Sequence, residues 1–213
     1  MSRRSALTKL QTAACGLLLA LAACGGPAAS APTVGPEAAG PQAAEQIIRD
    51  VRLNDPESLA ALDEIRFTET GAAAAGSLLA THLTGDLLWA ATYVYASSGR
   101  DAAPLRGVLV EADATVRVMA AAGLVARGDR AGFEPLIRAL TDRDLLAGSE
   151  PPQEVWTFAT TTLVRYAGRQ GPVQSPNAGP DELAAAKRAW EQWLRANGDS
   201  LRFDSVRGVW STT

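Results

Sequence analysis

The residues best placed to do chemistry lie near the amino terminus, where Cys24 follows Leu21, Ala22 and Ala23. A cysteine thiolate is a nucleophile that forms new covalent bonds. The small residues that precede it are typical of the site at which a signal peptidase cuts. Cleavage between Ala23 and Cys24 places the thiol at the first position of the mature chain. The spacing therefore predicts a cysteine that is both exposed by processing and modified.

The segment before Cys24 has the organisation of a signal for export. Arg3, Arg4 and Lys9 supply positive charge, and Leu10–Ala23 is an apolar run of 14 residues. A membrane-spanning helix needs about 20 apolar residues. We therefore predict that residues 1–23 are a cleaved signal peptide. The residues also allow an ordinary signal peptide with an incidental cysteine, or an uncleaved anchor.

Leu21-Ala22-Ala23-Cys24 resembles the lipobox of bacterial lipoproteins. This resemblance implies a diacylglycerol on the Cys24 sulfur and an acylated first residue that holds the protein at a membrane. The pair Arg3-Arg4 also resembles a twin-arginine export motif, so two export routes stay open. Gly25 is not an acidic retention signal, and the resemblance therefore favours the outer membrane in a bacterium that has two membranes.

Charge and cysteine content restrict the remaining chemistry. Removal of the signal segment leaves 17 basic and 23 acidic residues, a net charge of −6. Such an acidic chain is a poor partner for nucleic acid, whose phosphates need clustered Lys and Arg. Because Cys15 lies in the removed segment and Cys24 carries lipid, the mature chain has no thiol for catalysis, a disulfide or a metal. We expect no cofactor and no small-molecule substrate.

Two further groups have residue types that could bind a metal. His82 is the one histidine of the chain, and a metal site needs three or four convergent ligands. We therefore interpret it as a structural or surface residue. Asp142, Asp144 and Glu150 lack the spacing of a calcium-binding loop, and we interpret them as a solvated turn. No catalytic, cofactor-binding or metal-ligating residue is predicted.

Two sets of side chains could bind a partner. Trp190 and Trp193 share a helix face with Leu183, which favours packing in a core or cap over a ligand platform. Repeat proteins bind along one exposed face, and arginines recur near the predicted turns between helices. These arginines form either a binding face or solvated pairs with Asp101, Asp129 and Asp142; they are Arg100, Arg127, Arg130, Arg138 and Arg143.

The rest of the sequence predicts a tether followed by helices. Residues 24–41 are rich in Gly, Pro, Ala and Ser, a composition that cannot bury enough apolar surface to fold. Residues 42–85 have helical periodicity, with Asp55 as a cap and Pro56 as the first residue of a helix. Alanine is abundant and runs of β-branched residues are scarce, which favours helix over strand.

A pattern of paired helices returns about 30 residues after its first appearance, at the scale of a helical repeat. Residues 86–170 contain an alanine-rich helix, a Gly-Asp turn and a helix with proline near its start. These features resemble HEAT repeats of the short bacterial kind also found in phycobilisome lyase-like proteins. The resemblance is carried by Asp113-Ala114-Thr115-Val116-Arg117, Ala120-Ala121-Ala122-Gly123-Leu124, Gly128-Asp129 and Pro135-Leu136-Ile137-Arg138-Ala139-Leu140. It implies that residues 42–85 are degenerate repeats.

Residues 171–213 are predicted to form a linker, a capping helix and a tail. The helix begins at Pro180 and ends near Ala196, with Asn197-Gly198 as a left-handed stop. The tail, which contains Trp210, is predicted to be irregular or 3₁₀. The resulting fold class is all-α: a short α-solenoid of HEAT-like helical hairpins with a C-terminal capping helix.

Together these features predict a membrane-anchored lipoprotein that acts as a non-enzymatic scaffold for a protein of the cell envelope. Two alternatives stay open. The resemblance also implies a lyase-like or enzyme-associated module, as in relatives that handle bilin attachment. The third interpretation is a structural envelope protein that binds peptidoglycan or itself.

Overall fold

The computed structural model describes residues 40–98, 101–111, 113–168, 171–172, 175 and 177–212. Within them the chain is mostly helical, with nine α-helices and two short strands. This confirms the predicted helical class, and the two strands are an addition to it. No helix in the described ranges is both long and apolar enough to cross a membrane.

The first three helices are α1 (Pro41–Asp50), α2 (Pro56–Ile65) and α3 (Glu69–Leu79). The prediction that Asp55 caps α2 is confirmed, because its carboxylate accepts a hydrogen bond from the Glu57 backbone N–H at 3.1 Å. A side-chain oxygen at this position pairs one of the amides that a helix start leaves free. Thr68 caps α3 in the same way, through the Gly71 N–H at 2.9 Å.

The middle of the chain contains α4 (Gly85–Ser98), α5 (Ala103–Val108), α6 (Ala114–Ala126) and α7 (Phe133–Arg138). Short 3₁₀ turns stand before and after α7. The predicted helices with proline near their start are confirmed as α5, which contains Pro104, and α7, which contains Pro135, although both are short. Asp113 caps α6 by accepting a hydrogen bond from the Val116 N–H at 2.9 Å.

Helix α6 lies at the centre of the molecule and separates two apolar clusters. Val116, Met119 and Leu124 pack into the first cluster with α1 to α5. Val118 and Val125, on other faces of the same helix, pack into the second cluster with α7 to α9. A helix that is apolar all round is buried on all sides, and this burial explains the alanine-rich sequence of α6.

Gly123, at the end of the alanine run, permits close packing against α6. A Cβ atom on Gly123 would lie 2.7 Å from Leu105 Cδ1 of α5. In the 3₁₀ turn before α7, a Cβ atom on Gly132 would lie 2.2 Å from the carbonyl oxygen of Ala121 in α6. The small residues therefore let the chain on both sides approach the α6 backbone.

The last helices are α8 (Val155–Ala167) and α9 (Pro180–Asn197). The carboxylate of Glu182 accepts a hydrogen bond from the Gly179 N–H at 2.8 Å, which closes the start of α9. The predicted left-handed stop at Gly198 is wrong, because this glycine has φ −53° and ψ −38° and continues the right-handed conformation. The helix instead ends one residue before it.

The predicted irregular tail is also wrong, because it forms a β-hairpin. Strand β1 (Leu201–Asp204) pairs antiparallel with β2 (Val209–Thr212), with Phe203 opposite Trp210. Trp210 is buried and its indole N–H donates to the Val125 carbonyl of α6 at 3.0 Å. Contact with α6 therefore holds the tail in an extended conformation that its own short sequence does not specify.

Candidate binding cleft

The structure separates the sequence-predicted residues into three groups. Ala23, Cys24 and Arg100 lie outside the described residues, as does most of the tether, so the predictions made for them stay predictions. Of the remaining arginines, Arg127 is half-buried and the others are exposed. The proposed row is therefore not one continuous face.

Arg127 is half-buried and bonds to the protein interior. Its guanidinium donates to the backbone carbonyls of Tyr95, Ala96 and Gly123. Burial lowers the pKa of Arg127, and the neighbouring Tyr95 and Tyr166 oppose that shift. The donors of this arginine are directed at internal carbonyls, which gives it a structural role, and the binding face stays a prediction.

The exposed arginines pair with acids other than the predicted ones. Arg130 lies 3.5 Å from Asp199, Arg138 lies 3.9 Å from Glu134, and Arg143 lies 3.7 Å from Glu154. Arg130 and Arg138 border surface grooves that Glu134 and Arg195 also line. These grooves carry both signs of charge, and exposed pairs of this kind contribute little energy.

The remaining candidates lie at separate places in the described structure. His82 is exposed in the connection between α3 and α4. The Asp142 carboxylate accepts a hydrogen bond from the Asp144 N–H at 3.0 Å, which makes a local turn. Trp190 is fully buried and meets Trp193 edge to face at 5.3 Å, as packing predicts. Within the described ranges, no group of three His, Cys, Asp or Glu residues could hold a metal ion.

The feature that sequence reasoning missed is an aromatic cleft between α4, α6 and α8, which we name the Arg66 cleft. Its volume is about 50 Å³. Arg66 and Phe67, in the turn between α2 and α3, line it together with residues of the three helices and of the loop before α8. Those residues are Trp89, Tyr93, Ala96, Ser97, Met119, Ala122, Gly123, Leu146, Ala147, Gly148 and Phe158.

One wall of the Arg66 cleft is a pair of stacked rings. Trp89 and Tyr93 are one helical turn apart on α4, and their ring centroids are 5.1 Å apart with an angle of 11° between the planes. Gly148, which has φ +71°, lies against the Trp89 ring, because a Cβ atom there would be 2.5 Å from Trp89 Cζ2. A glycine is required at this position both by the backbone conformation and by the ring.

Arg66 lies at the polar end of the cleft and is held by two residues. Its Nη1 donates to the Tyr93 hydroxyl and lies 3.4 Å from the Asp63 carboxylate. The Tyr93 hydroxyl donates in turn to Asp63 at 2.7 Å. Burial of the phenol raises the pKa of Tyr93, and its hydrogen bond to Asp63 adds to that shift. The three groups therefore form a network in which Tyr93 stays protonated.

The guanidinium of Arg66 also stacks on aromatic rings. Its central carbon lies 4.5 Å from the Phe67 ring centroid and 5.3 Å from that of Tyr93. Such cation–π contacts orient the guanidinium plane without using its N–H groups. The Nε of Arg66 and the Nε1 of Trp89 are buried and have no hydrogen-bond partner among the described residues. Two N–H donors beside the cleft thus have no acceptor in the described part of the chain.

No local sequence signal marks this cleft. Trp89 and Tyr93 have the spacing of any apolar helix face, and Arg66 lies at the boundary of a short helix. Only the packing of α2, α4 and α8 brings these side chains together. The one available signal is that Trp, Tyr and Arg are frequent in contacts that contribute strongly to binding energy. That frequency does not indicate which of the Trp, Tyr and Arg residues in the sequence take part. The chain matches no family model, and no curated protein or solved structure matches it.

Proposed function

We propose that this chain is an exported lipoprotein, anchored through Cys24, that acts as a non-enzymatic interaction scaffold in the cell envelope. The proposal combines the lipobox-like sequence with the Arg66 cleft. The signal-like segment of residues 1–23 supports export, and the composition of the next residues supports a tether between lipid and folded domain. In a bacterium with two membranes, the proposed location is the outer membrane.

We further propose that the helices form a short α-solenoid of HEAT-like hairpins. The order of packing supports this arrangement, because α4 packs against α3 and α6, and α6 packs against α8. In such arrays each layer buries its apolar face on the next one. Helix α9, with Trp190 buried against the second cluster, covers the last layer together with the β-hairpin.

The observation that carries the scaffold proposal is the composition of the Arg66 cleft. Trp, Tyr and Arg are the residues most enriched where protein partners bind tightly, and the cleft brings together Trp89, Tyr93 and Arg66. Phe67 at the same site is 50% exposed. The Phe67 ring lies half exposed beside the stacked rings, so it offers apolar surface to a partner.

The size of the cleft favours a protein partner over a cofactor. Sites for drug-sized ligands enclose about 300–1,000 Å³, whereas the Arg66 cleft has a volume of about 50 Å³. This volume is too small for a tetrapyrrole and is suited to one side chain of a partner. The cleft therefore gives no support to the lyase-like alternative.

Chemical crosslinking in intact cells, followed by affinity capture of the tagged full-length protein from membranes, tests the scaffold proposal. We expect the same envelope protein to be enriched with the wild type and with Val206→Ser, an exposed apolar position on the hairpin. We expect Phe67→Ser to lose it. Equal enrichment with Phe67→Ser contradicts the cleft as the contact site, and enrichment of nothing above an untagged strain contradicts the scaffold.

The anchor has its own test. Mass spectrometry of the mature protein should show an amino-terminal fragment that begins at Cys24 and carries diacylglycerol. Cys24→Ser should move the protein out of the membrane fraction while leaving its folded domain unchanged. An unmodified mature terminus at another residue would show that the lipobox interpretation is wrong.

A further inference from the structure

We propose that the Arg66 cleft binds the tip of the β-hairpin of a second copy of this chain, with Val206 as the side chain that enters the cleft. Val206 lies in the turn between β1 and β2 and is 95% exposed. This inference goes beyond the proposed scaffold function but concerns the same site. A cleft that is covered by a second copy is closed to another partner until that copy dissociates.

The hairpin tip holds the backbone of Val206 in place although the side chain is uncovered. The Asp204 carboxylate accepts hydrogen bonds from the backbone N–H groups of Val206 and Arg207, both at 3.0 Å. The Gly208 N–H donates to the Asp204 carbonyl at 2.8 Å, and Trp210 attaches the same hairpin to α6. Because valine also has a stiff side chain, an apolar group presented in this way loses little conformational freedom when it binds.

The volume of the cleft suits a valine side chain. A cavity of about 150 Å³ holds benzene, which has six carbons. The Arg66 cleft has a volume of about 50 Å³, and the branched side chain of valine has three carbons. Trp89, Met119 and Phe158 supply apolar walls, so an aliphatic group that leaves water for this space is stabilised there.

Charge distinguishes Val206 from Val110, which is 86% exposed. Arg207 follows Val206 and its side chain is 80% exposed, whereas Glu111 follows Val110. The carboxylate of Asp63, at the polar end of the cleft, is 51% exposed. Opposite charges that meet at an interface favour association, and like charges oppose it. Val206 with Arg207 therefore complements the cleft, and Val110 with Glu111 does not.

A second copy also covers the apolar surface beside the cleft. Phe67 lines the cleft and is 50% exposed, so a hairpin tip that enters there lies next to its ring. Every copy carries both the hairpin tip and the cleft, and two copies related by a two-fold axis make the contact twice. The proposed anchor at Cys24 adds to this effect, because copies held at one membrane have a raised effective concentration.

The test is disulfide crosslinking between two differently tagged copies of the full-length protein, mixed in detergent with micelles in excess. One copy carries Val206→Cys, and the other carries Ala147→Cys at a position that lines the cleft. We expect a crosslinked product that carries both tags. Val110→Cys is the matched control at another exposed valine, and it should give at least about tenfold less product with Ala147→Cys.

A second pair of variants tests the role of charge. Arg207→Glu, added to the Val206→Cys copy, should lower the yield of product at least about fivefold, because it places a carboxylate beside Asp63. Arg207→Lys keeps the positive charge and should crosslink as well as the Val206→Cys copy without it.

Three results would overturn the proposal. The first is equal yield from positions 206 and 110, which indicates random collision; the second is an unchanged yield with Arg207→Glu, and the third is no product. If Ala147→Cys does not fold, Ser97→Cys, which also lines the cleft, replaces it. The mixture contains no envelope partner. A failure here therefore leaves the scaffold function standing, and a failure to capture an envelope protein leaves the contact between copies standing.

Discussion

Arg127, the residue that follows α6, donates a hydrogen bond of 2.7 Å to the backbone carbonyl of Tyr95 on α4. The same guanidinium bonds the carbonyls of Ala96 and Gly123 and lies 5.9 Å from the Tyr95 ring centroid. The last carbonyls of a helix have no partner within it, and a cation there is favourable. Arg127 therefore connects the carboxyl-terminal parts of two helices that pack in the same core.

Replacement of this arginine should destabilise the fold strongly. Arg127→Met keeps much of the apolar stem but removes the guanidinium donors of the Ala96 and Gly123 carbonyls, while the Tyr95 carbonyl keeps the Ser98 hydroxyl at 2.9 Å. We therefore expect the free energy of unfolding to fall by about 2–4 kcal/mol. Arg138→Met is the matched control, because Arg138 is 63% exposed, and it should change stability by about 0.5 kcal/mol or less. Urea denaturation measures both. Equal midpoints for the two variants would contradict a structural role for Arg127.

The indole N–H of Trp210 should contribute measurably to stability. Trp210→Phe removes the hydrogen bond to Val125 together with part of the ring, whereas Trp190→Phe removes an indole N–H that has no partner among the described residues. Both tryptophans are buried in the same cluster. We therefore expect Trp210→Phe to cost about 1 kcal/mol more than Trp190→Phe. If thermal or urea unfolding shows the reverse order, the hairpin is held by ring packing alone.

Alanine substitutions at two glycines distinguish the cost of a strained backbone from the cost of crowding at the cleft. Gly85 and Gly148 both have positive φ, but a Cβ on Gly85 meets nothing within 4 Å whereas one on Gly148 meets Trp89. Gly85→Ala should cost about 1–2 kcal/mol for the left-handed backbone. Gly148→Ala should cost about 1–3 kcal/mol more for overpacking. Similar unfolding midpoints for both variants would show that the loop before α8 moves away from Trp89 at little cost.

Helix starts could be predicted from the sequence because their causes are local. Asp55 and Asp113 each cap the helix that begins at the next residue. The residues that specify each cap therefore lie within three positions along the chain. The hairpin could not be predicted in this way. Leu201, Phe203 and Trp210 are too few to show an alternating pattern, and their conformation depends on a carbonyl 85 residues away.

Side-chain roles were less predictable than helices, for the same reason. Arg127 and Arg138 are the same residue type near similar turns, yet one is internal and the other exposed. The difference comes from the neighbouring α4, whose last carbonyls accept hydrogen bonds from Arg127, whereas Arg138 lies near the exposed Glu134. The Arg66 cleft combines Phe67, Trp89 and Phe158 from separate elements, so its existence is a property of packing and not of any single segment.

The network of Tyr93, Arg66 and Asp63 should make stability fall at alkaline pH. The pKa of Tyr93 is raised by burial and by its hydrogen bond to Asp63, above the 10.0 of an ordinary tyrosine. Well below pH 10 the phenol is protonated in both the folded and the unfolded chain, so it adds no pH dependence to the free energy of unfolding. Above pH 10 the unfolded chain releases a proton that the folded chain keeps, so stability decreases as pH rises.

Tyr93→Phe should reduce that decrease. The variant loses about 1 kcal/mol at neutral pH with the hydroxyl, but it should lose less stability than the wild type between about pH 9 and pH 11. Burial also raises the pKa of Tyr95 and Tyr166, which remain in the variant, so some decrease should persist. Urea denaturation across this range gives the slope. Parallel slopes for wild type and variant would show that the Tyr93 proton is released as easily in the folded protein as in the unfolded one.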